Sequence, residues 1–296
     1  MKIYLPSDLS ENHIAASIGL ISDTHMPQRW AALPDAVFDV LDGVDLLLHA
    51  GDVGELWVLD QLSQIGPLVA VHGNDDTPAT QRELPYQQVV VVAGQRMLLW
   101  HSHYPDRSEE LASRQGEAME ARLDRLAERG RRAGAKIAIS GHWHIPFAHQ
   151  QGDVLLINPG ALASGNHTLR QLRQTVALLF IRDDGAPFVS HVDLAQPDRI
   201  YHPPVDWGRG FQANAIHFSA SILSPGLAEQ MDAINELLFA PGAEALRAAW
   251  LRVAHRCWAG EQAVMTGLDF LGEVSQDADI SPAIVQKIEG LLAGLE

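Results

Sequence analysis

The sequence predicts an α/β layered sandwich followed by a helical C-terminal extension, and three observations carry that expectation. Between Ile18 and about Asp193, short apolar runs recur, each bounded by Gly, Pro, Asp or His, as buried strands are. The early runs are separated by helix-like stretches while the later ones follow closely on one another, an order that suits two sheets packed face to face with helices outside. Beyond Tyr201 the strand-like runs stop and apolar residues recur at threes and fours. The expected division is a domain over 1–200 and a helical extension over 201–296.

In chain order the strand-like runs are IGLI, DLLL, PLVAV, QVVVV, RMLLW, KIAI, VLLI, TVALLFI and FVSHV. Periodicity alone does not separate such short runs from buried helix segments, but their Gly and Pro boundaries favour strands. Helices are expected over 32–41 and 55–65. The stretch 107–132 sets Leu111, Met119, Leu123 and Leu126 among Glu and Arg, which reads as an amphipathic surface helix. HPPVDWGRG is a linker-like break. After it, LAEQMDAINELLF, GAEALRAAWLRVAHRCWAG and SPAIVQKIEGLLAGL each carry a helical apolar stripe. Those stripes must pack on something, and the leucines and tryptophans from Leu246 to Trp258 offer surface for a homo-oligomer contact. Trp250 and Trp258, spaced by eight, suit packing better than a stacking platform.

A chain of 296 residues, 47% of them hydrophobic, can bury a sizeable core. No apolar run approaches the roughly 18–20 residues that cross a bilayer, and the opening MKIYLPSDLSENH lacks the apolar core of a secretory signal. A cytoplasmic protein is expected. The single Cys257 has no partner for an internal disulfide or a shared metal, so it reads as a half-buried thiol. A formal charge of −16 disfavours nucleic acid and anionic membranes as partners. A phosphate-bearing substrate would need local cations, and 14 histidines, several beside Gly and Asp at strand ends, suggest metals as the source.

Five stretches stand where strands are expected to stop. They are SDTH (Asp23, His25), HAGD (His49, Asp52), GND (Asn74), HSH (His101, His103) and GHWH (His142, His144). If the strands lie side by side, their C-terminal ends bring these groups together. Taken singly each is ordinary: SDTH is a common helix N-cap and one His-x-His pair can cap backbone groups. Together, carboxylates, an amide and imidazoles without thiolate suit a pair of divalent ions such as manganese, iron or zinc. His167, His191, His202, His217 and His255 have no companions at ligand spacing and read as surface or core, and no glycine-rich phosphate loop is present.

In that order, and followed by INPGA, the five stretches resemble the calcineurin-like metallophosphoesterases, most closely their small bacterial and archaeal phosphodiesterase branch, over roughly residues 18–193. The resemblance implies an αββα sandwich and a divalent-metal-dependent phosphoesterase acting on a small phosphodiester, with a metal-bound hydroxide as nucleophile. It implies that Asp23, His25 and His144 hold one ion, that Asn74, His101 and His142 hold the other, and that Asp52 bridges. The two ions would be manganese, with iron, zinc or nickel as alternatives. His49 would orient a ligand or the bridging water, and Asn158 and Gly160 would line the site. Within HSH, His101 ends the strand and takes the ligand position, leaving His103 a pocket or structural role.

Four positions depart from the family pattern: Ser102 for Gly, Trp143 for a small Thr, Ala161 for Ser, and Asp75 where distant branches place a histidine proposed to protonate the leaving group. Asp75 is therefore the candidate catalytic residue at that point. Some members of the superfamily have altered ligands and serve as interaction modules. Here every ligand position keeps a competent donor type, which favours the enzyme.

Overall fold

In the computed structural model the described residues are 4–5, 13–114, 116 and 118–293, with the side chain of Arg114 set aside. Most of the opening stretch read for a secretory signal lies outside them. The chain forms two compact units: one up to Gly165 together with Gln171–Ser219, the other Asn166–Arg170 together with the chain from Ala220.

The first unit is built on two five-stranded sheets. One holds β1 (Ile14–Ile21), β2 (Leu46–His49), β3 (Leu68–Ala70), β10 (Thr175–Arg182) and β11 (Pro187–Asp193), in the order β11-β10-β1-β2-β3. The other holds β4 (Gln87–Val92), β5 (Gln95–Trp100), β6 (Ile137–Ser140), β7 (Phe147–Gln151) and β8 (Val154–Asn158), in the order β4-β5-β6-β8-β7. Strands with both faces covered are apolar at every position, and the alternation shows where each face goes. Ala16, Ile18 and Leu20 of β1 and Ala177, Leu179 and Ile181 of β10 meet Met97, Leu99, Ile137, Ile139 and Ile157 of the other sheet in one buried cluster. The alternate residues Ile21, Val176, Leu178 and Phe180 pack against Val37, Val40 and Leu41 of α1 (Asp35–Leu41) and Val58 and Leu62 of α2 (Trp57–Leu62). Leu98, Ala138 and Leu156 face Leu123, Leu126 and Ala127 of α5 (Met119–Arg132). Helix, sheet, sheet and helix thus form the expected αββα layers, each buried aliphatic contributing about 1.5–3 kcal/mol by leaving water.

Pairing is parallel for β1–β2 and β2–β3 in one sheet and for β5–β6 and β6–β8 in the other. This register places the ends at Ile21, His49 and Ala70 on one side of the sandwich seam, and those at Trp100, Ser140 and Asn158 on the other.

The structure departs from the sequence reading in a few elements. In place of one helix over 107–132 there are two, α4 (Arg107–Arg114) and α5, with Gly116, a poor helix residue, in the sequence between them. The Arg122 guanidinium fastens the break by donating to Ser113 O and Gly116 O at 2.7 and 2.8 Å. β7 was not expected: it is an antiparallel edge strand whose FAHQQ sequence buries Phe147 and leaves polar residues outward. A short α3 (Pro78–Glu83), capped by Thr77, follows β3.

β9 (Leu169–Gln171) and β12 (Ser219–Ser221) pair as a two-stranded ribbon, and α6 (Phe211–Ala215) precedes β12. In the second unit the first expected helical stretch is divided at Gln230 into α7 (Pro225–Glu229) and α8 (Met231–Leu238). α9 (Glu244–Trp258) and α11 (Pro282–Leu292) fall where expected, and α10 (Gly267–Gln276) lies between them. The α9 stripe of Leu246, Trp250, Val253, Cys257 and Trp258 is buried within the single chain. Cys257 is fully rather than half buried, which pushes its thiol pKa up. Trp250 and Trp258 donate their indole N–H to His167 O and Leu169 O at 2.9 and 2.6 Å, so both act in packing. No described helix is long and apolar enough to cross a membrane.

Candidate metal centre

Every candidate residue sits within a few positions of a strand's C-terminal end, and the backbone there is bent in an uncommon way. Asp23, His25, Asp52, Ser102, His142 and His144 all have positive φ, between 45° and 79°. Each such residue costs about 1–3 kcal/mol. The bends turn consecutive side chains out of the strand direction, so residues two apart reach into one space.

Three groups of ligand-type atoms result, each within 4.8 Å internally: Asp23, His25 and His144; Asp52, His101 and His142; and His25, Asp52 and Asp75. His144 Nε2 lies 3.1 Å from Asp23 Oδ1 and 3.4 Å from His25 Nε2. His101 Nε2 lies 3.1 Å from Asp52 Oδ2, and His25 Nε2 lies 3.6 Å from that same oxygen. Asp52 therefore stands between the first two groups. His103 lies outside all three; its buried ring packs 5.5 Å from His101 and 5.0 Å from Tyr86.

Each aspartate has one oxygen held and the other offered. Asp23 Oδ2 accepts from Ser22 Oγ at 2.6 Å and from the His142 amide at 3.0 Å, while Oδ1, which that amide reaches at 3.3 Å, faces the histidines. Asp52 Oδ1 accepts from the Asp75 amide at 2.8 Å, leaving Oδ2. Burial opposes ionisation of Asp23, yet His144 and His101 hold its carboxyl well below the ordinary range. Burial likewise opposes a charge on His101, but Asp52 and Asp23 push its pKa up to about 10.

These atoms fit divalent cations. His101 Nδ1 donates to Ala50 O at 2.7 Å, and its Nε2 is buried without a hydrogen-bond partner. Asn74 donates its amide N–H to Asp75 Oδ1 at 2.7 Å, leaving Oδ1 buried and unpartnered. With the imidazoles neutral, the carboxylate oxygens of Asp23 and Asp52 and the nitrogens of His25, His101, His142 and His144 converge as acceptors facing acceptors. Such a set is costly unless positive charge joins it, and with no thiolate it suits ions that take oxygen and nitrogen ligands.

Around this set, other residues hold the loops. His49 is buried and neutral, burial lowering its pKa to about 4. Its Nε2 meets Thr24 Oγ1 at 3.1 Å and its Nδ1 accepts from the Gly51 amide at 3.2 Å, so it supports Asp52 through the loop rather than by touching it. Asn158 donates to Gly141 O at 2.9 Å and accepts from the Gly160 amide at 2.9 Å, bracing the turn before His142. His191, buried, donates to Asn158 O at 2.9 Å. Gly141 is required by close approach: a Cβ there would stand 1.9 Å from Ser22 Oγ and 2.8 Å from Asp23 Oδ2. Trp143 turns away from the histidines on either side of it and packs at 5.5 Å from Phe147 and 5.9 Å from Phe211.

The sequence reading missed three participants. Arg29 Nη2 pairs with Asp75 Oδ2 at 2.6 Å, while Nη1 donates to Gly165 O at 2.9 Å and lies 3.3 Å from His25 Nδ1. Burial and Asp52 raise the Asp75 pKa, but Arg29 and His25 outweigh them and hold it low. Asp76 accepts from the Gly54 and Gly73 amides at 2.7 Å each. Glu110 Oε1 lies 2.9 Å from His142 Nε2. The spacing of Arg29 from His25, one helical turn, was the one local clue.

The model of the calcineurin-like phosphoesterase superfamily domain matches residues 17–184. The chain is 37% identical over 146 residues to a probable metallophosphoesterase of Methanocaldococcus jannaschii, covering 49% of this chain and 67% of that protein. It is 36% identical over 144 residues to a probable metallophosphoesterase of Methanothermobacter thermautotrophicus, covering 49% and 76%. Among solved structures, vacuolar protein sorting 29 of Cryptosporidium parvum aligns at 18% identity over 61% of this chain and 98% of that one, with a TM-score of 0.46.

Proposed function

Because the chain belongs to the calcineurin-like phosphoesterase superfamily and is a metallophosphoesterase, a phosphoric ester hydrolase, we propose that it is a phosphodiesterase with a two-ion centre. Asp23, His25 and His144 would hold one divalent ion, and Asn74, His101 and His142 the other, with Asp52 shared. The observation that carries this reading is the position of Asp52 Oδ2, 3.1 Å from His101 Nε2 and 3.6 Å from His25 Nε2, between the two groups. When bound, a pair of such ions polarises the phosphoryl oxygens and lowers the pKa of a water that serves as nucleophile. Manganese suits a thiolate-free set of oxygen and imidazole donors, with iron, zinc and nickel as alternatives.

The chain's own residues set the substrate. Arg29 puts a fixed positive charge beside His25 and suits a non-bridging phosphoryl oxygen. Asp75 orients that guanidinium. Held ionised by Arg29, it is poorly placed to protonate a leaving group. An ester whose leaving group departs without a proton is then favoured, and a singly charged diester meets less repulsion from Asp75 than a doubly charged monoester.

The test compares an aryl phosphodiester with the corresponding monoester on protein stripped of metal and reloaded with Mn2+. Loss of hydrolysis on stripping, recovery on reloading and a higher kcat/KM for the diester are expected. Full-rate hydrolysis without metal, or preference for the monoester, overturns the reading.

A further inference from the structure

His142 differs from the other imidazoles of the centre in what stands behind it. His101 is backed by a main-chain carbonyl, Ala50 O at 2.7 Å, and His144 by the amide of Gln171, with Nδ1 at 3.4 Å from Oε1. Behind His142 stands a carboxylate, Glu110 Oε1 at 2.9 Å from Nε2. Glu110 is 4% exposed, and a carboxylate is rarely buried without a specific partner. Its second oxygen accepts from the Tyr104 amide at 3.0 Å, and its own amide donates to Asp106 O at 3.0 Å. The side chain is thereby fixed from both ends, on the helix that directly follows the HSH loop.

We infer that Glu110 is a positioning residue for His142, accepting its Nε2–H and thereby turning the Nδ1 lone pair toward the space shared with Asp52 and His101. This rests on the two-ion reading. A neutral imidazole has one N–H and one lone pair, so fixing the hydrogen on Nε2 fixes the donor on Nδ1. A carboxylate in that position holds the Nε2–H more firmly than a carbonyl or amide does. His142 needs such support because its backbone sits at φ 75°, a conformation its own local sequence does not favour. Glu110 lies 32 residues from His142, so nothing in GHWH announces it.

The experiment measures Mn2+ binding to the stripped full chain by calorimetry, for the unaltered protein, Glu110→Gln and Glu110→Ala. The unaltered protein should bind two ions. Glu110→Ala should bind one as before and the second roughly 10–100-fold more weakly. Glu110→Gln, whose amide oxygen still accepts the Nε2–H, should fall between. In Zn2+-loaded protein labelled with 15N-histidine, one slowly exchanging Nε2–H signal should shift in Glu110→Gln and vanish in Glu110→Ala. A role confined to holding α4 would move neither signal. Unchanged affinity at both sites in Glu110→Ala overturns the inference, as does equal weakening at both. If Glu110→Ala does not fold, Glu110→Gln decides: a weaker second site supports the assignment and two unaltered sites overturn it. An unaltered protein that binds two ions but hydrolyses no phosphoester overturns the esterase reading while leaving the Glu110 comparison intact; one that binds no ion overturns both.

Discussion

The strand-end loops of the sandwich and the helices of the second unit are made by opposite rules. In the loops, Asp23, His25, Asp52, Ser102, His142 and His144 hold left-handed backbone conformations that their side chains do not favour. Among the described residues of the second unit, only the glycines Gly242 and Gly260 have positive φ. There the local devices agree with the structure. Thr266 caps α10 in a reciprocal box with Asp269, and Ser224 caps α7. Local agreement stabilises a fold, whereas backbone held against its preference marks positions where the surrounding structure imposes geometry for another purpose. The difference supports placing the proposed site in these loops, where six such residues gather, whereas Ala93 with φ 47° stands alone in the β4–β5 turn.

The largest expected effect is on the loops. Asp52→Ala removes the oxygen that lies between both groups, and activity should fall to background with loss of bound metal. His103→Ala, outside the three groups, should cost less than the roughly 10–100-fold typical of an outer partner of a metal ligand. Metal content and kcat/KM for both variants decide, and equal loss of metal would move the ligand assignment from His101 to His103.

Next comes Trp143. A large indole between two candidate ligands has to point away from them. The structure puts it into an aromatic cluster with Phe147 and Phe211. Trp143→Thr should therefore lower stability by about 3–5 kcal/mol, read by denaturant unfolding, with metal stoichiometry kept in the folded fraction. Loss of metal from a fully folded variant would show that the indole supports His142 and His144.

These two cases show what was legible beforehand. SDTH, HAGD, GND, HSH and GHWH could be read because each carries its donors within a few residues of a strand end, and a parallel sheet brings such ends together by topology. Glu110 and Arg29 were hidden because their partners His142 and Asp75 lie 32 and 46 residues away. The inward turn of Trp143 was half legible: a large indole between two ligands had to point away, but its destination needed Phe211, which is distant in sequence. β7 was missed because an edge strand needs only one apolar face, and α10 because its cap carries more of the signal than its stripe.

Gly141→Ala tests the strained loops at a smaller scale. Its Cβ would meet Ser22 Oγ at 1.9 Å and Asp23 Oδ2 at 2.8 Å, displacing the held side of Asp23. A stability loss of about 1–3 kcal/mol is expected from overpacking, with weakened binding of the ion assigned to Asp23, His25 and His144. Calorimetric titration with Mn2+ reads both sites. If the site of Asp52 and His101 weakened instead, Gly141 would be acting through the neighbouring His142.

The smallest effect belongs to the helices, and it is the control for the comparison. Thr266 Oγ1 accepts from the Asp269 amide at 3.2 Å, and Asp269 Oδ2 accepts in return from the Thr266 amide at 2.8 Å. Removing the Thr266 hydroxyl leaves the Asp269 amide in the first turn of α10 without its acceptor but touches no residue of the metal groups. Thr266→Ala should cost about 1 kcal/mol, seen as a shifted unfolding midpoint, with Mn2+ stoichiometry and affinity unchanged. A cap substitution that weakened metal binding would mean that the helical unit and the strand-end loops share one energetic network. The contrast between them would then be one of local conformation only, and the second unit would have to be counted as part of the catalytic apparatus.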